Sequence, residues 1–356
     1  MIPSAIDEVE VSLRTIALKE PFITALGRKD ATTNAFVRVR LAGGAEGWGE
    51  ASGSVVMAHQ KPARLAAVLR ALGRRLRGAD AARTGPLAAD VWAYAGETPA
   101  AAAAFECAAL DAFLRLKRVP MDAWFGGALE RIETDFTLSA AAPETAAASA
   151  ARAAREGFRK LKIKVGGGSP AADFRRVVLA EAAAHAELGR RPEILLDGNQ
   201  GLSERGSLAL VERCLKRGLR VTLLEQPLPK DDLKGMARLQ RRCPVPLAAD
   251  ESVRSPQDAL RVMDLGAADV INVKVAKTGL QASLDIIALA RAAGKRLMIG
   301  CMQESALGLA HSVRLACGSG AFSFADLDSD HLLVPEQPRG DFRRDGGWLT
   351  LGSRTR

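Results

Sequence analysis

"KLKIKVGGG", residues 160–168, is the stretch on which the fold turns. Lys160, Lys162 and Lys164 alternate with Leu161, Ile163 and Val165, so an extended chain puts three ammonium groups on one face and three aliphatic side chains on the other. An exposed antiparallel strand tolerates that pattern. A strand covered on both faces does not, unless nearby groups use the charge. The neighbouring segments decide between the two. From Thr134 onward short apolar runs recur, "TDFTLS", "KLKIKV", "EILLDGN", "VTLLEQP", "PLAADES", "DVINVKVAKTG", "RLMIGCMQES" and "AFSFADLDSD", separated by Ala-rich amphipathic stretches. Eight strands with seven helical connections predict a closed parallel barrel over residues 126–330. A doubly wound open sheet is the alternative, but no GxGxxG follows the first run. In a barrel the lysine face looks into a crowded interior, and its C-terminal end lies at the mouth, where chemistry is usually placed.

Residues 1–125 read as a separate α+β unit. "IDEVEVSLRTIAL" and "NAFVRVRLAGGAEGWGEAS" alternate like half-exposed antiparallel strands, with "AGGAEG" as a hairpin turn. Helices are expected from about Pro62 to Leu76 and from Pro99 to Leu116. The tail, residues 331–356 with "GGWLTL", is expected to return to this N-terminal unit.

Composition narrows the function. A formal charge of +9 invites a nucleic-acid reading, but the Arg residues are scattered over Ala-rich segments, with a single Tyr and no zinc-finger or RNP-like pattern. No nucleic-acid partner is expected. The richest apolar run, "TPAAAAAFECAALDAFLRL", is interrupted by Glu106, Asp111 and Arg115 and is too short to span a bilayer. Five Cys without CxxC pairing favour reduced thiols, and the start lacks a basic segment followed by an apolar core; a cytoplasmic protein is expected. Four scattered His make no zinc motif.

The barrel strands end on charge. The second ends at Lys162 and Lys164, the third at Asp197 with Asn199, the fourth at Glu225, the fifth at Asp250 and Glu251, the sixth at Lys274, the eighth at Asp326 and Asp328. Asp197, Glu225, Asp250 and Lys274 follow one another at intervals of 28, 25 and 24 residues, one strand–helix unit each, so they reach the same mouth. Asp197, Glu225 and Asp250 form an oxygen cluster without His or Cys, which suits a hard Mg2+ ion. Lys162 and Lys164 arrive before it and Lys274 after it. Two lysines on opposite faces of one carbon can remove a proton from one side and return one on the other, and a lysine becomes a usable base when burial and neighbouring cations lower its pKa, which the Lys162/Lys164 pair is suited to do. A metal at the carboxylates would stabilise the enediolate that such proton removal creates.

This constellation resembles the enolase superfamily, specifically its muconate-lactonizing subgroup, over nearly the whole chain. A lysine base with Mg2+ is the pairing already known for that superfamily. The resemblance implies a (βα)7β modified TIM barrel under an N-terminal α+β capping domain completed by the C-terminal tail. It implies Asp197, Glu225 and Asp250 as metal ligands, with Asn199 and Glu251 beside them. Lys164 is then one base, with Lys162 lowering its pKa, and Lys274 the opposite base, in preference to Lys277. Within the subgroup, "GCMQES" (300–305, with Met302 and Glu304) and "DLD" (326–328) look like the dipeptide epimerases, in which the DxD pair binds the substrate's α-ammonium group. Arg28, in "PFITALGRKD", is a candidate partner for an acidic substrate side chain. A solvent-facing basic loop is the other reading, because Gly27 shifts the Arg by one. The loop "ASGSVVMAHQ" (51–60) lacks the family's Thr-Gly-Glu, and Gly279-Leu280 stands where Gly-Gly is usual. The expected activity is Mg2+-dependent epimerisation of a dipeptide at its C-terminal residue, with L-Ala-L/D-Glu as first substrate and a homo-oligomer as the assembly. An o-succinylbenzoate synthase or muconate cycloisomerase is the alternative on the same scaffold, and it would have no use for an ammonium site.

Overall fold

The computed structural model describes residues 2–24, 27–53 and 60–352. Its first unit is an antiparallel meander, Ile6–Thr24, Gly27–Leu41 and Glu46–Ala51, backed by helices Pro62–Arg75, Thr84–Ala95 and Pro99–Lys117. Two of these helices match the sequence expectation to within a residue. The third, Thr84–Ala95, escaped it, because "TGP" at its start reads as a turn. The last helix is buried along most of its length and packs almost backbone to backbone on the third strand. A methyl group at Gly47 or Gly49 would collide with the backbone at Ala108, Ala112 or Ala104, so small residues on both partners permit the approach.

Eight parallel strands follow in chain order: Phe136–Leu138, Lys160–Lys164, Glu193–Asp197, Val221–Glu225, Leu247–Ala249, Val270–Val273, Arg296–Gly300 and Phe324–Asp326. Seven helices connect them, from Pro143–Arg155 to Ala306–Ser319. Several helices start where a side chain supplies the missing acceptor: Ser169, Ser203, Asp232 and Ser255 each take the backbone N–H three residues on. The barrel is joined across its first and last strands without a regular ladder. Asp135 N–H donates to Ala325 O (3.0 Å), and Leu327 N–H donates to the Thr134 hydroxyl (2.6 Å). This (βα)7β barrel under an antiparallel capping unit is the fold expected from the sequence.

Alternation inside the barrel separates two layers. Leu195, Leu223, Ala248, Val270 and Met298, with Phe324 against them, form a small apolar plug apart from the main core. Their neighbours along each strand, such as Leu161, Ile163 and Leu196, point outward and join the large core beneath the helices. At the floor Lys160 Nζ lies 3.3 Å from Glu133. The tail touches the capping unit first, where Leu333 bridges Leu18 and Val334 N–H donates to Ala17 O. It then forms the hairpin Phe342–Asp345 and Trp348–Leu351, whose second strand pairs with Arg131–Glu133 ahead of the first barrel strand.

Candidate active site at the barrel mouth

Above the apolar plug most of the strands end on inward polar side chains. Lys164, Asp197 and Glu225 are consecutive register partners across the second, third and fourth strands. Lys162 is 1 % exposed, and its ammonium lies 2.6 Å from Asp326, 2.7 Å from Glu225 and 3.0 Å from Asp197. Lys164 Nζ meets Asp197 Oδ2 at 2.6 Å and stands 5.9 Å from the centre of the Phe22 ring, which the capping unit lowers over it. Just past the end of the sixth strand, four places round an eight-strand barrel from the second, Lys274 Nζ lies 2.8 Å from Asp250 Oδ2. Lys277 takes the other oxygen of Asp250 at 2.6 Å and also donates to its backbone carbonyl at 2.7 Å. The family resemblance set Lys277 aside as a base, and here its ammonium is committed to Asp250.

The carboxylates are held as firmly as the lysines. Asn272 Nδ2 donates to Glu225 (2.6 Å), and Asn199 N–H donates to Asp197 (2.9 Å) from a left-handed backbone with φ 40°. Asn199 Nδ2 reaches Glu251 at 3.3 Å, and Gln226 Oε1 accepts the Asp250 N–H at 3.0 Å. Burial and the charges of Asp197 and Asp250 push the Glu225 carboxyl up to about 7. Burial, then Asp250 and Asp197, do the same to Glu251, also to about 7. Asp197 resists burial because Lys162 and Lys164 outweigh it and hold it at about 2; Lys274 and Lys277 likewise keep Asp250 below the carboxylate range. The same carboxylates act on Lys162 and Lys274. Burial alone would lower both, but the ring of carboxylates outweighs it and raises both.

The donor set fits a hard divalent cation. Asp197, Glu225 and Asp250 offer only oxygen, and Asn199 Oδ1 and Glu251 Oε2 are buried oxygens with no hydrogen-bond partner beside them. The mutual repulsion recorded in the raised Glu225 and Glu251 is what a 2+ charge would relieve. Among the described residues, the three ligand atoms that lie within 4.8 Å of one another are those of Cys301, Asp326 and Asp328, but burial pushes the Cys301 thiol well up, and a neutral thiol is a poor ligand.

A cavity of about 70 Å3 opens over these groups, lined by Lys164, Lys274, Asn199, Asp326 and Asp328 with Phe22, Met302 and Leu332 among its apolar walls. Thr137, which sequence reasoning passed over, braces the acidic pair: its N–H donates to Asp328 (2.6 Å) and its hydroxyl to Asp326 (3.2 Å). Glu304 is absent from the wall. Its carboxylate turns back to accept the Met302 N–H at 2.8 Å, so it shapes the loop that carries Met302. Arg28 is also absent. It is 58 % exposed, pairs with Asp30 at 2.8 Å, and borders a larger crevice of about 590 Å3 that shares Phe22, Thr137 and Leu332 with the site. Residues 54–59 of the second capping loop lie outside the described residues. The sequence also gave no sign of Glu50. Buried on the third capping strand, it accepts the N–H of Ser305 (2.9 Å) and of Gly308 (3.0 Å), the Ser305 hydroxyl and the Asn34 amide (2.6 Å).

An alternating lysine strand, register-paired acids and a capping unit clamped over a (βα)7β mouth define a class of protein, and comparison with known families agrees. Residues 7–126 match the mandelate racemase / muconate lactonizing enzyme N-terminal domain, and residues 145–354 the enolase C-terminal domain-like family. The chain belongs to the enolase superfamily, within its dipeptide epimerase family, and is an isomerase. It is 37 % identical over 352 residues to an aromatic dipeptide epimerase of Herpetosiphon aurantiacus, covering 98 % of this chain and 97 % of that one. An L-Ala-D/L-Glu epimerase of Thermotoga maritima is 32 % identical, with 96 % and 97 % covered. Among solved structures, a substrate-liganded L-Ala-D/L-Glu epimerase of Bacillus subtilis superposes with a TM-score of 0.93 at 30 % identity, covering 98 % of this chain and 96 % of that one. A dipeptide epimerase of Enterococcus faecalis, complexed with Mg and L-Leu-L-Tyr, gives 0.89 at 28 % identity, with 98 % and 97 % covered.

Proposed function

We propose that this chain epimerises dipeptides at the Cα of the C-terminal residue, with Mg2+ as cofactor and Lys164 and Lys274 as the two bases. The observation that carries the reading is the placement of those two ammonium groups on strands half a barrel apart, each against a proposed ligand, Asp197 or Asp250. Mg2+ held by Asp197, Glu225 and Asp250 would supply positive charge to the substrate carboxylate as the enediolate develops. Lys164 in its amine form takes the α-proton of one epimer, and Lys274 as ammonium delivers a proton to the other face; the reverse reaction exchanges their roles. Lys162 supplies fixed positive charge beneath them. Asp326 and Asp328 hold the substrate's α-ammonium group, a task that neither lyase nor cycloisomerase chemistry requires.

The walls bear on the choice of side chain. Phe22, Met302 and Leu332 are apolar, and Arg28 is engaged by Asp30, so a hydrophobic or aromatic C-terminal residue fits better than the glutamate suggested by the loop sequence. Names of relatives of both kinds, aromatic and L-Ala-D/L-Glu, agree with the reaction and leave the side chain to experiment. A dipeptide library incubated with enzyme and Mg2+ in deuterated water tests the reading. Deuterium should enter at the C-terminal Cα with inversion, faster for L-Ala-L-Phe than for L-Ala-L-Glu. Absence of exchange with every dipeptide would refute the activity.

A further inference from the structure

The helix Val275–Ala292 contains a break that the chemistry above does not use. Gly279 sits inside it with φ 71° and ψ −178°, so a short turn, Val275–Thr278, is followed by a helix that starts afresh at Leu280. The new start is capped from another part of the molecule. Glu106, buried on the helix Pro99–Lys117, accepts the Gln281 N–H at 2.7 Å with one oxygen. Its other oxygen accepts the Trp92 indole N–H at 2.8 Å. A methyl group at Gly279 would collide with that second oxygen and with the Trp92 ring, so only glycine lets the carboxylate come this close.

The turn between this cap and the sixth barrel strand has little slack. Lys277 N–H and the Thr278 hydroxyl both donate to the Lys274 carbonyl, at 2.8 and 3.1 Å. Thr278 also bonds the Ser283 hydroxyl at 2.7 Å, tying the turn to the helix that Glu106 caps. The backbone of Lys274 is therefore fixed from below by its strand and from above by a chain of contacts ending on Glu106.

We propose that Glu106 is a positioning residue for Lys274. It acts through the Gly279 break, so that the helix entering the barrel from the N-terminal unit sets one of the two bases and leaves the other alone. The inference rests on the two-base reading above, and a one-sided defect is its signature. With both epimers of a turned-over dipeptide in deuterated water, Glu106→Ala should slow exchange of the epimer deprotonated by Lys274 about 100-fold, the usual cost of misplacing a catalytic group by an ångström. Exchange of the other epimer should fall less than about threefold, since Lys164 belongs to the second strand and has no bond to this chain of contacts. Glu106→Gln, which keeps an acceptor for Gln281 N–H, should recover most of the loss and serves if the alanine variant folds poorly. Equal slowing of both epimers, or slowing of neither, would overturn the proposal.

A second readout is independent of turnover. Reductive methylation mapped by mass spectrometry should label Lys274 several-fold faster in Glu106→Ala than in the parent, with labelling of Lys164 unchanged. Parallel changes at both lysines, or at neither, again overturn it. Failure of the parent protein to exchange any dipeptide would count against the catalytic reading and not against this contact.

Discussion

Lys164 and Asp197 are partners twice over: they pair in backbone register between the second and third barrel strands, and their side chains meet again at 2.6 Å. A proposed base and a proposed metal ligand thus share one rung of the sheet. Replacing either lysine base with methionine removes the proton carrier but keeps an apolar chain of similar length. Lys164→Met and Lys274→Met should each lower epimerisation by about 10²- to 10⁴-fold, with exchange retained from opposite epimers. Unchanged turnover in either variant would remove that lysine from the mechanism.

Gly300, inward-facing at the end of the seventh strand, has no room for a side chain. A methyl group there would stand 2.8 Å from both Asn272 Oδ1 and Lys274 Cε. Gly300→Ala should therefore displace Lys274 and lower kcat by about 10- to 100-fold, with a smaller effect on KM. Steady-state kinetics checks this, and a change confined to KM would contradict it.

The carboxylate cluster predicts a metal-linked stability. Protein stripped by chelation should be inactive, and added Mg2+ should raise its thermal midpoint, stabilising the fold by about 2.7 kcal/mol at a hundredfold excess over Kd. Asp250→Asn should blunt that response, measured by scanning calorimetry. A full response in this variant would place the ion elsewhere.

Asp328 gives the pH dependence. Burial and then the neighbouring Asp326 charge push its carboxyl up to about 7, and only the ionised form can hold an ammonium group. With Mg2+ saturating, kcat/KM should rise with pH through about 7. Asp328→Asn should raise KM and flatten that limb. An unaltered limb would assign it to another group.

Glu50 couples the two units of the chain. Removing its carboxylate strands the N–H groups of Ser305 and Gly308 and one N–H of the Asn34 amide, whose nitrogen keeps its bond to Gln303 O, all buried. Glu50→Ala should cost about 2–4 kcal/mol of unfolding free energy. Denaturant titration would show it, and a loss below about 0.5 kcal/mol would mean that water replaces the carboxylate.

What could be read from the chain in advance was whatever repeats. Strand, helix and strand-end charge recur at nearly constant intervals, so Asp197, Glu225, Asp250 and Lys274 announce a common mouth before any contact is known. Contacts that repeat nothing stayed hidden. Glu50 meets Ser305 across 255 positions, and no local pattern marks either residue as a partner. Thr137 lies in an ordinary apolar run, and its task appears only when the first strand closes against the eighth. Arg28 shows the converse failure: its identity suggested an anion partner, but Asp30 two residues away provides one. The surroundings of Lys162 were hidden for a related reason. Spacing showed that Lys162 neighbours Lys164, but not that Asp197, Glu225 and Asp326 converge on its ammonium.

The seam of the barrel has a bearing on how the chain is made. Asp326 and Asp328 are braced by Thr137, a residue synthesised almost two hundred positions earlier, and the barrel closes through the same few residues. Loop closure over that distance comes late in folding. The rungs bearing Lys164, Asp197 and Glu225 precede the last strand in the chain, so the proposed ammonium site is the part of the mouth that waits for that strand to be made.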